Sequence, residues 1–444
     1  MTRVSAEPDV KELNLTLDLC LRIGEMLLAN GAGAADVTAT MGAVAHHLGL
    51  RTTDIDVTFT QVSMGYQYDP ASPSLLMIRQ VKQRDIDYED LTQVDHLVRD
   101  LLHGKLDLYL ARTRMASIVS VGHPVPRWAV TIATGVMCAA VALFLGGDLA
   151  VIAIAFLAAA CIDRVQLRMS RRRLPNFYMQ VAGGVVATLF AVGAAASGLD
   201  VDPSLVVTAN IIMLLAGIGF MGALQDALSG FYVTAGARII EALLATSGII
   251  AGVSGGLSLG TLMGVDVGQL EPGRSGWQDL SLLMVGSALC AAAFAFASYS
   301  PKRALVPIAL VAAGAAAIFR VVDEADLGRT WAAAFAAFAI GLVAYAVAGR
   351  VRVPPLVVVV PAIVPLLPGL SIYRGLSLMA ADNGASTSAG LLAMVTAASV
   401  AIALASGVIL GEYVAQPVKR EARRLEQRLS GPRLVGVFRA RSKR

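Results

Sequence analysis

Two hydrophobic rhythms divide the chain near residue 126. Before that point apolar residues alternate with polar ones at helix or strand spacing. Leu13, Leu17, Leu21, Leu27 and Leu28 mark one face of a helix over Leu13–Asn30, and Gly31 stops it. Val37, Met41, Val44 and Leu48 repeat the pattern over Ala34–Leu48, ending at Gly49. Asp54–Thr60 and Val62–Tyr68 alternate as strands, Asp69–Pro73 makes a turn, and Leu75–Lys82 reads as a third strand. Helices follow around Tyr88–Leu102 and Leu106–Ser120, parted by His103 and Gly104. Residues 1–125 are therefore expected to form a small α+β domain. His123-Pro124-Val125-Pro126 is then a stiff hinge, because each proline restricts the residue before it.

Beyond the hinge the pattern changes to long apolar runs, near 128–146, 148–163, 176–197, 204–229, 236–262, 280–298, 304–320, 330–348, 354–381 and 386–412. These ten segments predict a polytopic α-helical membrane protein, since a span needs roughly 20 apolar residues. The second is short. The fourth and ninth exceed that length because each carries an interruption. In the ninth, Pro365, Pro368 and Gly369 weaken or remove helical hydrogen bonds, and Arg374 adds a fixed charge about one turn later. Broken backbone at membrane depth persists only where protein or a cavity satisfies it. Leu214–Leu228 aligns with Leu366–Ala380 at an offset of 152, and the same offset places Ile132–Leu145 on Met284–Ala297.

The spacing predicts two membrane repeats, 126–265 and 280–417, followed by a basic tail over 418–444. Five crossings per repeat make the two antiparallel, an inverted pair. Paired interruptions in such halves point to a transporter's binding site. Loop charge sets the orientation. Arg164–Arg173, Lys302-Arg303, Arg350, Arg352 and the tail from Lys419 are expected in the cytoplasm, and the acidic loops outside. Both termini are then cytoplasmic, and Met1–Glu12 carries no apolar stretch of the kind a secretory signal needs.

Composition agrees. The 444 residues are 56% hydrophobic, with mean hydropathy +0.67, and the net charge of +4 is unremarkable. Four cysteines, Cys20, Cys138, Cys161 and Cys290, have no metal-ligand spacing. No disulfide, metal, cofactor or nucleic-acid partner is expected, and the absence of a phosphate-loop motif argues against ATP as energy source. In the N-terminal region Arg22 and Glu25 fall at i, i+3, and His46-His47 with Asp54 and Asp56 match no hydrolase motif.

Polar residues in the membrane runs are the functional candidates. Asp226 follows the first interruption at Gly217, and is either a coupling carboxylate or a helix-end residue facing water. Arg238 and Glu241 share a helix face and are spaced to pair, as a gate or as structure. Asn210 either binds substrate or staples helices. Around the second interruption, Pro368 and Gly369 free backbone groups, while Tyr373 and Arg374 could orient a carboxylate or anchor at the interface. Asp382, Asn383, Ser386 and Thr387 read as a loop and helix cap, Glu412 as interfacial, and Asp163 as a surface partner of Arg164.

At Leu17–Val37, Ile55–Thr60 and Pro365–Gly375 the chain resembles the threonine/serine exporter family. The likeness runs from about Leu13 to Pro417. It departs at Ala216, where the first interruption lacks the proline of the second. This resemblance implies export of threonine, serine or similar small amino acids across a bacterial cytoplasmic membrane, driven by protons. It leaves homo-oligomerisation open. A membrane-embedded hydrolase and a passive channel are the competing readings.

Overall fold

The computed structural model describes residues 10–429 except 70–72, 83–84, 121, 124, 198–200, 215–216, 266–279, 369–370, 373, 376–377 and 379–383. The N-terminal elements are α1 (Val10–Ala29), α2 (Ala34–His47), β1 (Thr53–Thr58), β2 (Gln61–Tyr66), β3 (Leu75–Gln80), α3 (Tyr88–Leu102) and α4 (Leu108–Ser120). Their order is the expected one. The strands form an antiparallel sheet in the order β1-β2-β3, with Ile55 opposite Met64 and Met64 opposite Met77. Central β2 buries Val62, Met64 and Tyr66 against α1. That helix also meets α2, α3 and α4, so its Leu17, Leu21 and Leu28 are fully buried. Arg22 and Glu25 do not pair with each other among the described contacts. Arg22 takes Asp18, whereas Glu25 takes Arg79 from β3 at 2.6 Å.

The remaining helices are α5 (Arg127–Phe144), α6 (Leu149–Arg171), α7 (Asn176–Ala196), α8 (Pro203–Leu214), α9 (Gly217–Leu228), α10 (Tyr232–Leu262), α11 (Leu280–Ala297), α12 (Lys302–Glu324), α13 (Arg329–Val351), α14 (Leu356–Ile363) and α15 (Gly384–Leu429). Among the described residues eight helices are long and apolar enough to cross a membrane: α5, α6, α7, α10, α11, α12, α13 and the Thr387–Ala415 stretch of α15. The chain is a multi-pass membrane protein. The expected second span, 148–163, is corrected. Helix α6 starts on the Asp148 cap and runs on through Arg171, so the basic stretch is mostly helix rather than loop. Straight-chain arginines extend a helix readily, and cations suit its C-terminal end.

The first expected interruption, near Gly217, falls at residues 215–216 between α8 and α9, outside the described residues; the second falls within an apolar helical stretch. Helix α14 tightens into a 3-10 turn, Val364–Leu366, then Leu367 is extended and Pro368 is a buried turn residue. Helical bonding resumes when the Ile372 amide donates to the Pro368 carbonyl at 3.1 Å.

Element spacing is regular. Leu280 follows Arg127 by 153 positions, as Lys302 follows Leu149, Arg329 follows Asn176 and Leu356 follows Pro203. Packing repeats with it: α5–α6, α6–α7, α5–α8, α6–α8, α7–α8 and α7–α10 recur as α11–α12, α12–α13, α11–α14, α12–α14, α13–α14 and α13–α15. Glycine makes the last pair of seams close. At α7–α10 a Cβ on Gly184 would lie 2.7 Å from the Ile249 carbonyl oxygen. At α13–α15 one on Gly407 would lie 2.6 Å from that of Ala334. Small residues that bring backbones together drive helix association in lipid, where apolar burial gives no preference for protein over lipid.

Candidate functional site

The N-terminal elements dock on one end of the helical bundle. The Tyr88 amide donates to the Ser298 carbonyl after α11 at 2.9 Å. The Thr234 hydroxyl on α10 donates to the Val57 carbonyl of β1 at 3.2 Å. His96 on α3 lies 3.1 Å from the Arg352 carbonyl, which also accepts from Arg303. His123 bonds the Asp87 carboxylate at 2.8 Å and stacks on Tyr299. Asp87 caps α3 by accepting from the amides of Glu89 and Asp90. Burial raises its carboxyl above the usual range despite those donors.

Beneath this docked layer lies a cavity of about 410 Å³. Asp36 and Asp95 reach it from α2 and α3, Asp226 from α9, Tyr345 from α13, Pro355 before α14, and Glu412 from α15. Asp36 is exposed to this space yet hemmed in by protein. Burial, and then the charge of Asp226, raises its carboxyl above the ordinary value. Burial raises Asp95 as well, against the pull of Arg99. A negative, half-enclosed vestibule of this kind favours cationic groups such as an ammonium.

At its wall Asp226 and Arg238 form a buried ion pair, Oδ2 to Nη1, at 2.9 Å. Their exposures are 1% and 5%, so neither charge is solvated from outside. Additional partners make such a pair tolerable. The Ala34 amide donates to Asp226 Oδ1 at 2.9 Å, and Arg238 Nη2 donates to the Ala32 carbonyl at 3.4 Å. Gly222 leaves room for the guanidinium, since a Cβ there would lie 3.0 Å from Nη1.

Arg238, spaced to pair with Glu241, is ion-paired here with Asp226. Arg238 turns to the carboxylate across the α9–α10 junction, and Glu241 is an exposed residue on the same helix. Asn210 is fully buried on α8. Its Nδ2 donates to the Val206 carbonyl at 2.8 Å, while its Oδ1 has no partner among the described residues. Gly217 opens α9. Pro368 is buried, whereas Arg374 is helical and exposed. Gly369 and Tyr373 lie outside the described residues. Of the nine candidates, the structure joins Asp226 and Arg238 directly and sets Asn210 on α8 and Gly217 at the start of the described part of α9.

Asp163 was expected as a surface partner of Arg164. It is buried instead, taking Arg127 Nη2 and the Thr131 hydroxyl, each at 2.6 Å. Its membership of an apolar helix face was the available signal. The Ala32 and Ala34 backbone contacts carry no side-chain signal at all.

Two family models match the chain, both describing a threonine/serine exporter (ThrE), over residues 18–260 and 283–414. A probable threonine/serine exporter of Mycobacterium tuberculosis is 32% identical over 97% of this chain and 82% of its own length. A threonine/serine exporter of Corynebacterium glutamicum is 32% identical over 92% of this chain and 84% of its own. A probable succinate transporter subunit of Escherichia coli, YjjP, is 24% identical, with 55% of this chain covering 95% of that subunit. No solved structure matches significantly. These relatives are transporters rather than enzymes. With eight helices of membrane-spanning length among its described residues, and a family model covering more than half its length, the chain belongs to the threonine/serine exporter family.

Proposed function

We propose that this protein is a secondary active transporter that exports threonine, serine or related small amino acids, with protons entering as substrate leaves. The observation that carries this reading is the recurrence of one packing plan at a spacing of 153 residues. The short α8–α9 and α14 stretches then complete ten crossings, arranged as inverted repeats 126–265 and 280–417. Residues 1–125 form a cytosolic domain, and the tail over 418–444 is cytosolic too. Among the described residues the docking contacts of the N-terminal elements fall at the bundle end that carries Arg127, Arg303 and Arg352, which supports this orientation.

The substrate site lies between the interruptions. Helix amides freed near Gly217 and beyond Pro368 and Gly369 offer partial positive charge to the substrate carboxylate. Asn210 has an unused acceptor there for an ammonium or hydroxyl, and Tyr373 and Arg374 flank the second break. Asp226 carries the coupling proton, with Arg238 as its counter-charge. Glu241, exposed on α10, is the secondary candidate.

Purified protein in liposomes tests this. Threonine flux should follow an imposed pH gradient without chemical change of the substrate. Replacing Pro368-Gly369 by Ala-Ala should leave folded protein that exports almost nothing. Flux that ignores the gradient indicates a channel, product formation an enzyme, and parental export by the Ala-Ala variant removes the break-centred site.

A further inference from the structure

The turn joining α1 to α2 reaches into the bundle and is held there by charge. Gly31, at φ +90°, ends α1, and Ala32 closes the turn by donating to Leu27. Helix α2 then opens on Gly33, which has no side chain to cap it. The cap comes from 192 residues away, where Asp226 Oδ1 accepts the Ala34 amide at 2.9 Å. The other carboxylate oxygen holds Arg238, whose Nη2 reaches back to the Ala32 carbonyl. One buried carboxylate and one guanidinium thus grip both sides of a single turn.

We propose that the Ala32–Ala34 turn is a positioning element for Asp226: it holds the carboxylate ionised and paired, and protonation of Asp226 releases the turn from the vestibule. This rests on the coupling role given to Asp226 above. A proton on that carboxyl removes the charge to which both the Ala34 amide and Arg238 are bound. The N-terminal layer then loses its attachment at the cavity wall, and the cavity opens toward the side from which substrate arrives. Binding of an amide to a carboxylate and protonation of that carboxylate are reciprocally linked, so each weakens the other.

Charged groups around Asp226 include its partner Arg238 on α10 and, lining the same cavity, Asp36 on α2, Asp95 on α3 and Glu412 on α15. Gly33 stands between two of these carboxylates. A Cβ there would lie 3.5 Å from Asp226 Oδ1 and 3.9 Å from Asp36 Oδ2. Asp36 therefore travels with the turn, and release of the turn separates like charges. The raised Asp36 carboxyl accords with that crowding.

Ala34→Pro removes the amide hydrogen and puts a ring carbon in its place, so Asp226 Oδ1, 2.9 Å from that nitrogen, both loses its donor and is pushed aside. Proline is well placed at the first position of a helix, and the residue before it must be extended. Gly33 is extended already, at φ −67° and ψ 150°. In liposomes, the pH midpoint of threonine exchange by Ala34→Pro should move upward by about one pH unit, because losing a donor favours the protonated carboxyl. Asp226→Asn should abolish the pH response in either background. A parental response that Asp226→Asn removes, together with an unshifted Ala34→Pro midpoint, overturns this inference alone. A parental protein whose exchange ignores pH overturns the coupling role and this inference with it. Should the proline variant not fold, hydrogen exchange over residues 31–37 in Asp226→Asn reads the same contact. At least tenfold faster exchange is expected, and parental exchange overturns the proposal.

Discussion

The glycine seams allow a prediction with an internal control. A Cβ at Gly184 would lie 2.7 Å from the Ile249 carbonyl oxygen, 3.0 Å from the Val253 nitrogen and 3.2 Å from the Gly252 carbonyl carbon. All three obstacles are backbone of α10, so no rotamer change relieves them. Ordinary contact begins at 3.4 Å, so Gly184→Ala must part α7 and α10 by about 0.7 Å. Overpacking of this size costs roughly 1–3 kcal/mol. Gly255 is also on α10, but nothing lies within 4 Å of a Cβ built there. Gly255→Ala should stabilise slightly, by about 0.5–1 kcal/mol, through the lower backbone entropy of alanine. The second seam provides a replicate, since Gly407→Ala meets the Ala334 carbonyl oxygen at 2.6 Å and the Phe338 nitrogen at 3.1 Å. Thermal midpoints in detergent should fall for Gly184→Ala and Gly407→Ala and hold or rise for Gly255→Ala. Threonine export should fall with the first two, because the seams brace α7 and α13, which pack on α8 and α14. If Gly184→Ala and Gly255→Ala have the same midpoint, the seams are not close-packed and the reasoning fails.

Two further outcomes are expected. Arg238→Met should destabilise by about 3–5 kcal/mol by stranding a buried carboxylate, and adding Asp226→Asn should recover most of it, measured as a double-mutant cycle of unfolding midpoints. Burial first, and then the charge of Asp87, pushes the Asp90 carboxyl up to about 6 from 3.8, so the folded state holds this proton more tightly than the unfolded chain. Its contribution to stability is complete below pH 3.8 and is lost as pH rises through about 6, and Asp90→Asn should flatten the stability profile across that window.

Much of this architecture is legible in the residues because membranes impose long apolar runs, and prolines and glycines punctuate them. The alternation of Val62, Met64 and Tyr66 marks the central strand, and Gly31 and Gly49 mark helix ends that both take positive φ. The common offset between halves is visible in the sequence at 152 and in the element starts at 153. What escapes is what depends on pairing across distance. Arg238 has a carboxylate at i+3, so local spacing favours Glu241. The fold instead brings Asp226 over the start of α10, where it meets Arg238 at 2.9 Å. Asp163 looks like part of a basic loop until α6 is seen to continue past it. The Ala34 amide is invisible in principle, since every residue but proline has one.

The matched packing has an energetic counterpart once the repeats are taken as inverted. Exchanging the conformations of two equivalent halves turns an inward-open molecule into an outward-open one, so the bundle by itself would hold the two states at similar free energy. The N-terminal layer breaks that degeneracy, because it grips Asp226, Arg238, Ser298 and Arg352 at one end and has no counterpart among the described residues at the other. Each contact it makes weights one population over its mirror image. A net bias of 1.4 kcal/mol is tenfold in that ratio. The layer thus weights the resting population of the two states, and with it the rate of the cycle at given gradients, adjustable by substitutions far from any bound substrate.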